Sequence, residues 1–219
     1  MKNGKLSLLA VMLVLSIPLI YLASVYKSLP DIVATHFGID GKPNGFGTKT
    51  EFAGIVLFMA LTAMGVYLLI KNIHKIDPKK SAKFSSDSMN KIALGIVIFF
   101  TGLNILIVYS TIKNEFVFHK LMLPFVGLFF AFLGNVMYSV KQNYFVGIRT
   151  PWTLESEDIW RKTHQLGGKL WFAGGLLIAI VTLLLNNTAS FAFFLSVGGF
   201  IVIVPVVYSY ILFRKSKAG

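Results

Sequence analysis

Few side chains in this chain could perform acid–base, nucleophilic or metal chemistry. Its 219 residues include nine Asp and Glu, four His and no Cys. Without cysteine there is no disulfide, iron–sulfur cluster or thiolate metal site, so the redox compartment is undetermined. The chain also lacks the His-Glu-x-x-His motif of zinc proteases and the Gly-x-Ser-x-Gly motif of serine hydrolases. We therefore predict that it is not an enzyme, and we expect no catalytic residue, cofactor or bound metal.

One pair with plausible chemistry, Asp31 and His36, lies in a segment rich in glycine and proline, residues 29–47. Pro30 fixes the backbone, and Asp40-Gly41 and Asn44-Gly45 are strong turn signals, so the segment is predicted to be compact. The simpler interpretation is that the pair hydrogen-bonds the loop to itself. A metal-binding or peptide-binding role is the alternative.

The second candidate region runs from Asn143 to His164. Thr150-Pro151 predicts an extended stretch or turn, and Ser156 before two acidic residues predicts the N-cap of a helix. On that helix Trp160, Thr163, His164 and Gly167 share one face, and the following Gly167-Gly168 pair is a candidate hinge.

Two interpretations of this region remain open. Trp152 and Trp160 could anchor the segment at the lipid headgroups, where amphipathic rings are favoured. That role does not account for Arg149, Thr150 and His164 beside them. The sharper hypothesis is a cytoplasmic docking surface or gate.

The elements that must position these residues are membrane helices. A crossing needs about 20 mostly apolar residues. Residues 170–213 carry no charge over 44 positions, which suits two crossings separated at Asn186-Asn187-Thr188. Four further uncharged runs suit one crossing each: Leu6–Tyr26, Phe52–Ile70, Ile92–Ile112 and Leu121–Val140. The predicted fold is all-α, a polytopic membrane protein with six transmembrane helices.

The distribution of charge predicts the orientation. With a cytoplasmic N-terminus, 16 of the 21 Lys and Arg residues lie inside, and those outside are Lys27, Lys42, Lys49, Lys113 and Lys120. The positive-inside rule then places both termini in the cytoplasm. The net charge of +12 is explained by this topology and by attraction to anionic membrane lipid, so no direct nucleic-acid partner is expected. The first apolar run exceeds the 7–15 residues of a signal peptide core and is interpreted as a retained helix.

Polar side chains inside the predicted helices are sparse. Asn104 and Asn135 are the two amides deep in the membrane, and no ionisable residue falls near mid-span. This argues against a proton-coupled transporter. In the fourth predicted helix, Gly127, Ala131 and Gly134 or Asn135 recur at helical spacing, which predicts close helix packing.

The chain is predicted to form one integrated membrane bundle with two regions. Residues 1–112 comprise helices 1–3 and the outer loop that holds Asp31 and His36. Residues 113–219 comprise helices 4–6 and the inner loop that holds Arg149 and His164. In this arrangement the two loops lie on opposite sides of the membrane.

Both loops resemble the SdpI family of bacterial membrane proteins. The outer loop carries that family's Leu-Pro-x-x-x-x-x-His pattern followed by Gly-x-Pro, here Leu29, Pro30, His36, Gly41 and Pro43. The inner loop carries its Asn-x-x-x-Gly-Ile-Arg-Thr-Pro-Trp-Thr-Leu stretch and then Trp-x-x-Thr-His. These positions are Asn143, Gly147, Ile148, Arg149, Thr150, Pro151, Trp152, Thr153, Leu154, Trp160, Thr163 and His164.

The resemblance implies a protein of the bacterial cell membrane that protects against a secreted antimicrobial peptide toxin. It also implies a second partner, a cytoplasmic repressor held at the membrane once toxin is present. In this hypothesis the outer loop binds the toxin, and a change in helix packing is felt between Arg149 and His164. The alternative function is a small-solute channel or transporter, for which the sequence offers only Asn104, Asn135 and scattered hydroxyl groups as a polar path.

Overall fold

A computed structural model describes residues 2–38, 42–76, 86–113 and 117–218 of the chain. This part contains six helices long and apolar enough to cross a membrane. They are α1 (Lys2–Val25), α2 (Lys49–Ile76), α3 (Ser86–Lys113), α4 (Val117–Met137), α6 (Glu157–Leu184) and α7 (Asn187–Ala218). A five-residue helix, α5 (Pro151–Glu155), precedes α6. The prediction of six membrane helices is confirmed, whereas the side on which the termini lie stays a prediction.

The long uncharged run divides where its polar break was predicted. Helix α6 ends with Leu185 as its C-cap, and α7 begins at Asn187. The Ser190 hydroxyl donates to the carbonyl of Thr182 across the break, at 3.0 Å. This hydrogen bond satisfies a carbonyl at the end of α6, which has no partner within its own helix.

An antiparallel hairpin between α1 and α2 was not predicted. Strands β1 (Ile32–Phe37) and β2 (Pro43–Thr48) pair with Ile32 opposite Thr48 and His36 opposite Gly45. The prediction of a turn at Asn44-Gly45 is wrong, because both residues lie inside β2. A Cβ at Gly45 would lie 2.9 Å from the Cβ of His36, so this glycine permits a close cross-strand approach. The predicted Asp40-Gly41 turn, with the motif residue Gly41, lies outside the described residues.

By its contacts the chain divides into two compact units. The first comprises residues 1–69, 93–122 and 186–188. Its core joins the hairpin to the helices through six buried residues: Leu22, Leu29, Val33, Phe52, Val56 and Val108. The Thr111 hydroxyl also donates to the carbonyl of Ala34 in β1, at 3.4 Å. The outer-loop motif is therefore held against helices α1, α2 and α3.

The second unit comprises residues 70–92, 123–185 and 189–219. Within it α4 and α6 approach closely along small residues. A Cβ at Gly134 would lie 2.7 Å from the carbonyl oxygen of Gly168, and one at Gly127 the same distance from that of Gly175. Such close backbone approach is typical of membrane helix pairs with small residues at the contact. Gly134 is the third small residue of this face, because Asn135 is exposed.

The prediction of a hinge at Gly167-Gly168 is wrong, since both glycines lie inside the continuous helix α6. Both are buried, and each makes room for a neighbour. A Cβ at Gly167 would lie 2.9 Å from the Ile148 side chain, and one at Gly168 would lie 2.9 Å from the Gly134 carbonyl. The pair therefore serves packing on two sides of one helix.

Candidate functional site

The candidate site is the motif loop, defined here as residues 143–154, together with the first turns of α6. It begins with a turn organised by Asn143, whose side chain is 1% exposed. Its Oδ1 accepts the backbone N–H groups of Phe145 and Val146 at 2.8 and 2.7 Å. Its Nδ2 donates to the carbonyls of Lys141 and Val146 at 2.8 and 2.9 Å. The amide therefore uses two donors and two acceptor positions, and it fixes the loop entrance.

The loop next passes over α6 at Gly147, which has a φ of +119°. A side chain at this position would be strained by the backbone and would also collide with the His164 Nε2 atom. The Trp160 ring lies 3.1 Å from the place of such a Cβ. Position 147 therefore requires glycine for two reasons, its positive φ and the lack of space for a side chain.

His164 joins the motif loop to its own helix. Its Nε2 accepts the backbone N–H of Ile148 at 3.0 Å, and its Nδ1 lies 2.8 Å from the carbonyl oxygen of Trp160. A carbonyl accepts only, so Nδ1 carries the proton and the ring is the neutral Nδ1–H tautomer. The ring is 1% exposed. Both ring nitrogens bond to backbone groups, so His164 has a structural role: it holds the motif loop on α6.

The two tryptophans of the motif bond to protein groups. Trp160 is 2% exposed, stacks on the His164 ring with centroids 4.0 Å apart, and donates its indole N–H to the Val140 carbonyl at 2.9 Å. The prediction that Trp160 anchors in the headgroups is therefore wrong. Trp152 donates to the Ser209 hydroxyl of α7 at 2.7 Å, and its ring packs on Phe213. Each indole thus finds a polar partner inside the protein.

Thr150 and Pro151 start helix α5. Thr150 and Thr153 form a reciprocal capping box, in which each backbone N–H donates to the other residue's hydroxyl, at 2.8 and 3.3 Å. Pro151 occupies the first helical turn, where its missing N–H costs nothing. The Thr153 hydroxyl also donates to the Ile148 carbonyl at 2.9 Å. Of the two predicted alternatives, an extended stretch or a turn, Thr150 takes the extended one, and Pro151 then starts a helix that closes the loop on itself.

Ser156 caps α6, as predicted, by accepting the Ile159 N–H at 3.3 Å. Asp158 then pairs with Lys162 at 2.6 Å, four residues along the helix, and with Arg161 at 2.7 Å, three residues along it. These exposed pairs lie in the first turns of α6. They favour the helix start without fixing the loop.

The motif residues divide into buried and exposed groups. Thr163 is fully buried beside His164, and its hydroxyl has no hydrogen-bond partner among the described residues. Arg149 is exposed, and its guanidinium donates to the Tyr144 carbonyl at 2.5 Å. Tyr144 itself is 39% exposed. The exposed side chains of the loop thus include a cationic and an aromatic one.

In the outer motif, Asp31 and His36 bond to different partners. Asp31 pairs with Lys49 at 2.8 Å, and the hydrogen bond and charge of Lys49 lower the pKa of this exposed carboxyl. The Nδ1 of His36 contacts the Asn44 Oδ1 across the hairpin. Pro30 precedes β1, and Pro43 is the first residue of β2. Each polar side chain therefore joins parts of the same hairpin and its helix.

The two amides predicted within the membrane differ in their surroundings. Asn104 is fully buried and donates to the Val56 carbonyl at 3.3 Å, while its Oδ1 has no partner among the described residues. Asn135 is exposed. In the part of the chain that the structure describes, no three His, Asp or Glu side chains form a group that could hold a metal ion.

Sequence reasoning did not single out Gln142 or Ser209, and it named Thr153 only as a position of the family pattern. Gln142 donates to the Thr153 carbonyl at 2.7 Å, and Ser209 receives the Trp152 indole. The Thr-Pro-x-Thr pattern is a recognisable capping signal that identifies Thr153. Ser209 lies 57 positions from Trp152 in the sequence, so no local pattern connects the two residues.

Comparison with known proteins agrees with both motifs. Residues 139–209 match the model of the SdpI/YfhL protein family, and residues 13–62 match a domain of unknown function, DUF1648. The Immunity protein SdpI of Bacillus subtilis (strain 168) is 37% identical over 57 residues, which cover 26% of this chain. The match spans 28% of that relative's own length. No solved structure matches the chain.

The two matched regions contain the two loops on which the resemblance was based. The outer motif lies within residues 13–62, and the inner motif from Asn143 to His164 lies within residues 139–209. The predicted relationship is therefore confirmed. This chain is a multi-pass bacterial membrane protein in which a region that matches DUF1648 is followed by one that matches the SdpI/YfhL family model.

Proposed function

We propose that this protein gives its cell immunity to a secreted antimicrobial peptide toxin. The observation that carries the proposal is the 37% identity over 57 residues to the Immunity protein SdpI. The SdpI/YfhL match supports it, because that region contains the complete inner motif. The protein acts in this proposal as a binding protein and performs no covalent chemistry.

The hairpin β1–β2 is the proposed surface for the toxin. It exposes Ile32 at 59% and Phe46 at 63%, next to the polar side chains of Asp31 and His36. A peptide with one apolar and one polar face can bury apolar groups on such a surface and bond its polar groups beside them. The buried Leu29 and Val33 hold the hairpin on its helices, so binding need not order a loose loop.

The motif loop is the proposed contact for a cytoplasmic repressor. Its exposed Arg149 and Tyr144 have the chemistry that is enriched at protein interfaces. The buried Asn143 of the loop and the buried His164 of α6 keep the backbone under these two side chains in one conformation. In this proposal toxin binding outside changes helix packing, and the repressor then docks at Arg149.

Survival of a toxin-sensitive strain tests the immunity proposal. The full chain is expressed in a bacterium that lacks its own immunity gene, and the cells are challenged with culture supernatant that contains the secreted toxin. We expect more survivors than with an empty vector. We also expect protection to fall in the double variant Ile32→Asn/Phe46→Asn at equal membrane abundance. Equal killing with and without the protein contradicts the proposal.

The two proposed roles can be separated in the same cells. Arg149→Gln is expected to keep survival and to abolish toxin-dependent recruitment of a fluorescent repressor to the membrane. The exposed Arg214, near the end of α7, provides a matched control, because Arg214→Gln removes the same charge outside the motif. Loss of survival in Arg149→Gln, or equal recruitment in both variants, contradicts the division of roles.

A further inference from the structure

The hydrogen bonds at the base of the hairpin fix which backbone groups point out of the sheet. The Lys49 N–H donates to the Asp31 carbonyl at 3.0 Å, and these two residues extend the register in which Ile32 is opposite Thr48. In an antiparallel sheet, hydrogen-bonded and non-hydrogen-bonded pairs alternate along the strands. The Ile32–Thr48 pair therefore directs its N–H and C=O groups outward. In agreement, the Thr48 N–H donates to Glu51 Oε2 at 2.7 Å.

The same alternation applies to the pair of Ala34 and Phe46, which also directs its backbone groups outward. The Ala34 carbonyl accepts the Thr111 hydroxyl of α3 at 3.4 Å, and Ala34 is buried. The β1 edge is therefore covered by α3 at this point. Phe46 is exposed, and no other described residue bonds to its outward N–H or C=O. The β2 edge thus has a free donor and a free acceptor on one residue.

The free part of the β2 edge is short and has defined ends. Before Phe46, Pro43 has no N–H, and Asn44 is an extra residue with no opposite position in the register, which makes it a β-bulge. After Phe46, Thr48 uses its N–H in the cap of α2. Glycines on both sides of Phe46 leave no neighbouring side chain to shield it. An approaching backbone therefore finds one bonding position on this edge.

We propose that the secreted peptide toxin binds here as an extended strand added to the β2 edge. In an added antiparallel strand, one residue exchanges two hydrogen bonds with Phe46 through its own N–H and C=O. A helical toxin has no such free groups along its length, because its backbone is bonded internally. The inference rests on the proposed immunity function and adds the conformation in which the ligand binds.

The apolar side chains beside the edge give the added strand a second contact. Ile32 is opposite Thr48 and therefore shares a face of the hairpin with Phe46. Both side chains are more than half exposed. Because side chains alternate between the two faces of a strand, every second toxin residue lies on this face. An apolar toxin residue opposite Phe46 then packs on its ring, while the backbone bonds fix the register.

Amide hydrogen exchange in the purified full chain tests the bonding position without any substitution. The probe is the peptide purified from the supernatant that kills the sensitive strain. Without peptide the Phe46 N–H should exchange rapidly, because it is exposed and unbonded. With saturating peptide we expect exchange at Phe46 to slow on the order of 10-fold or more. The Ile32 N–H, which points out of the other edge, should keep its rate. Unchanged exchange at Phe46 with peptide bound overturns the strand addition.

Proline variants remove the outward donor and leave the hydrogen bonds between the two strands intact. Phe46→Pro loses the ring and the N–H, whereas Phe46→Ala loses only the ring. Loss of one hydrogen bond predicts that Phe46→Pro binds the peptide about 3- to 10-fold more weakly than Phe46→Ala. Ile32→Pro and Ile32→Ala form the matched control pair, because the Ile32 N–H also points out of the hairpin but at the other edge. These two should bind with equal affinity.

The outcomes separate this inference from the proposed function. Absence of peptide binding by the parent chain overturns both. Equal affinities of Phe46→Pro and Phe46→Ala, or the same loss in the Ile32 pair, overturn the strand addition alone. A dimer of the parent chain that Phe46→Pro dissociates, with peptide affinity unchanged, assigns the edge to a second copy and also overturns it. If Phe46→Pro does not fold, the exchange rate of Phe46 in the parent chain decides.

Discussion

The imidazole of His164 connects two segments of the chain that are 16 residues apart. Its Nε2 accepts the Ile148 N–H, and its Nδ1–H donates to the Trp160 carbonyl of its own helix. A buried N–H that loses its acceptor retains the full cost of its desolvation. His164 is therefore a residue whose substitution should be felt in the loop rather than in the helix.

His164→Phe preserves a flat ring on Trp160 and removes the acceptor. We expect it to lower the free energy of unfolding by about 1–3 kcal/mol, because the Ile148 N–H stays buried without a partner. Hydrogen exchange in detergent should become faster at residues 143–150. His36→Phe, in the hairpin, is the control and should leave exchange in the motif loop unchanged. Unchanged exchange at Ile148 in His164→Phe would show that the ring does not hold the loop.

Gly147 and His164 should be energetically coupled, because a side chain at Gly147 would occupy the space of the imidazole. Gly147→Ala alone is expected to cost on the order of 1–3 kcal/mol for the backbone conformation, with the collision added. In Gly147→Ala/His164→Ala the collision is relieved, so the double variant should lose less than the two single losses together. Gly198→Ala, where a Cβ meets nothing within 4 Å, is the control. Additive losses in denaturant unfolding contradict the coupling.

Helices α4 and α6 show how element packing depends on residue size. A Cβ at Gly134 would contact the Phe172 backbone and lie 2.7 Å from the Gly168 carbonyl. Backbone atoms on the partner helix cannot rotate away as a side chain can, so the helices must separate. In lipid, close van der Waals contact of this kind is a principal source of helix association.

Gly134→Ala is therefore expected to lower the thermal midpoint in detergent, with a cost of about 1–3 kcal/mol for the forced separation. Gly65→Ala adds the same methyl group to α2, where nothing lies within 4 Å. The thermal midpoint of this control should equal that of the parent chain or lie slightly above it, because alanine has a higher helix propensity than glycine. Equal midpoints for the two variants would mean that the contact between α4 and α6 contributes nothing measurable.

The sequence predicted the helices better than the elements between them. Six spans follow from hydropathy, because a chain in lipid must satisfy its backbone internally. The hairpin was missed because the Asp40-Gly41 and Asn44-Gly45 pairs were interpreted as turns. Yet residues 32–37 have the composition of a strand, with the β-branched Ile32, Val33 and Thr35 and the aromatic Phe37.

Burial in the motif loop was also hard to predict. Trp160 follows a polar loop, which is where a tryptophan at the membrane–water interface is expected. Its indole N–H instead donates to the Val140 carbonyl inside the protein. The loop reaches α6 by way of the turn at Asn143 and the positive φ of Gly147. This contact is tertiary, so no local sequence pattern predicts it. The common face of Trp160, Thr163 and His164 was predicted, because helical spacing alone determines it.

For the whole molecule, the matched regions assign the chain to a bacterial membrane, and the distribution of Lys and Arg predicts its direction. The proposed function depends on that direction, since a secreted toxin meets the outer side and a repressor meets the inner side. Both termini and the motif loop should share the cytoplasmic side, opposite the hairpin. The absence of cysteine makes this directly testable, because each introduced thiol is the only one in the chain.

Single-cysteine variants Lys42→Cys, Glu155→Cys and Ser216→Cys place a thiol at exposed positions between the two strands, at the end of α5 and in the last turn of α7. With a membrane-impermeant maleimide, Lys42→Cys should be labelled in intact cells. The other two should be labelled only after lysis. They lie in the predicted inner segments, whose 16 basic residues favour the cytoplasmic side. The parent chain is the unlabelled control. Labelling of Lys42→Cys and Glu155→Cys under the same condition would place both loops on one face and contradict a signal that passes across the membrane.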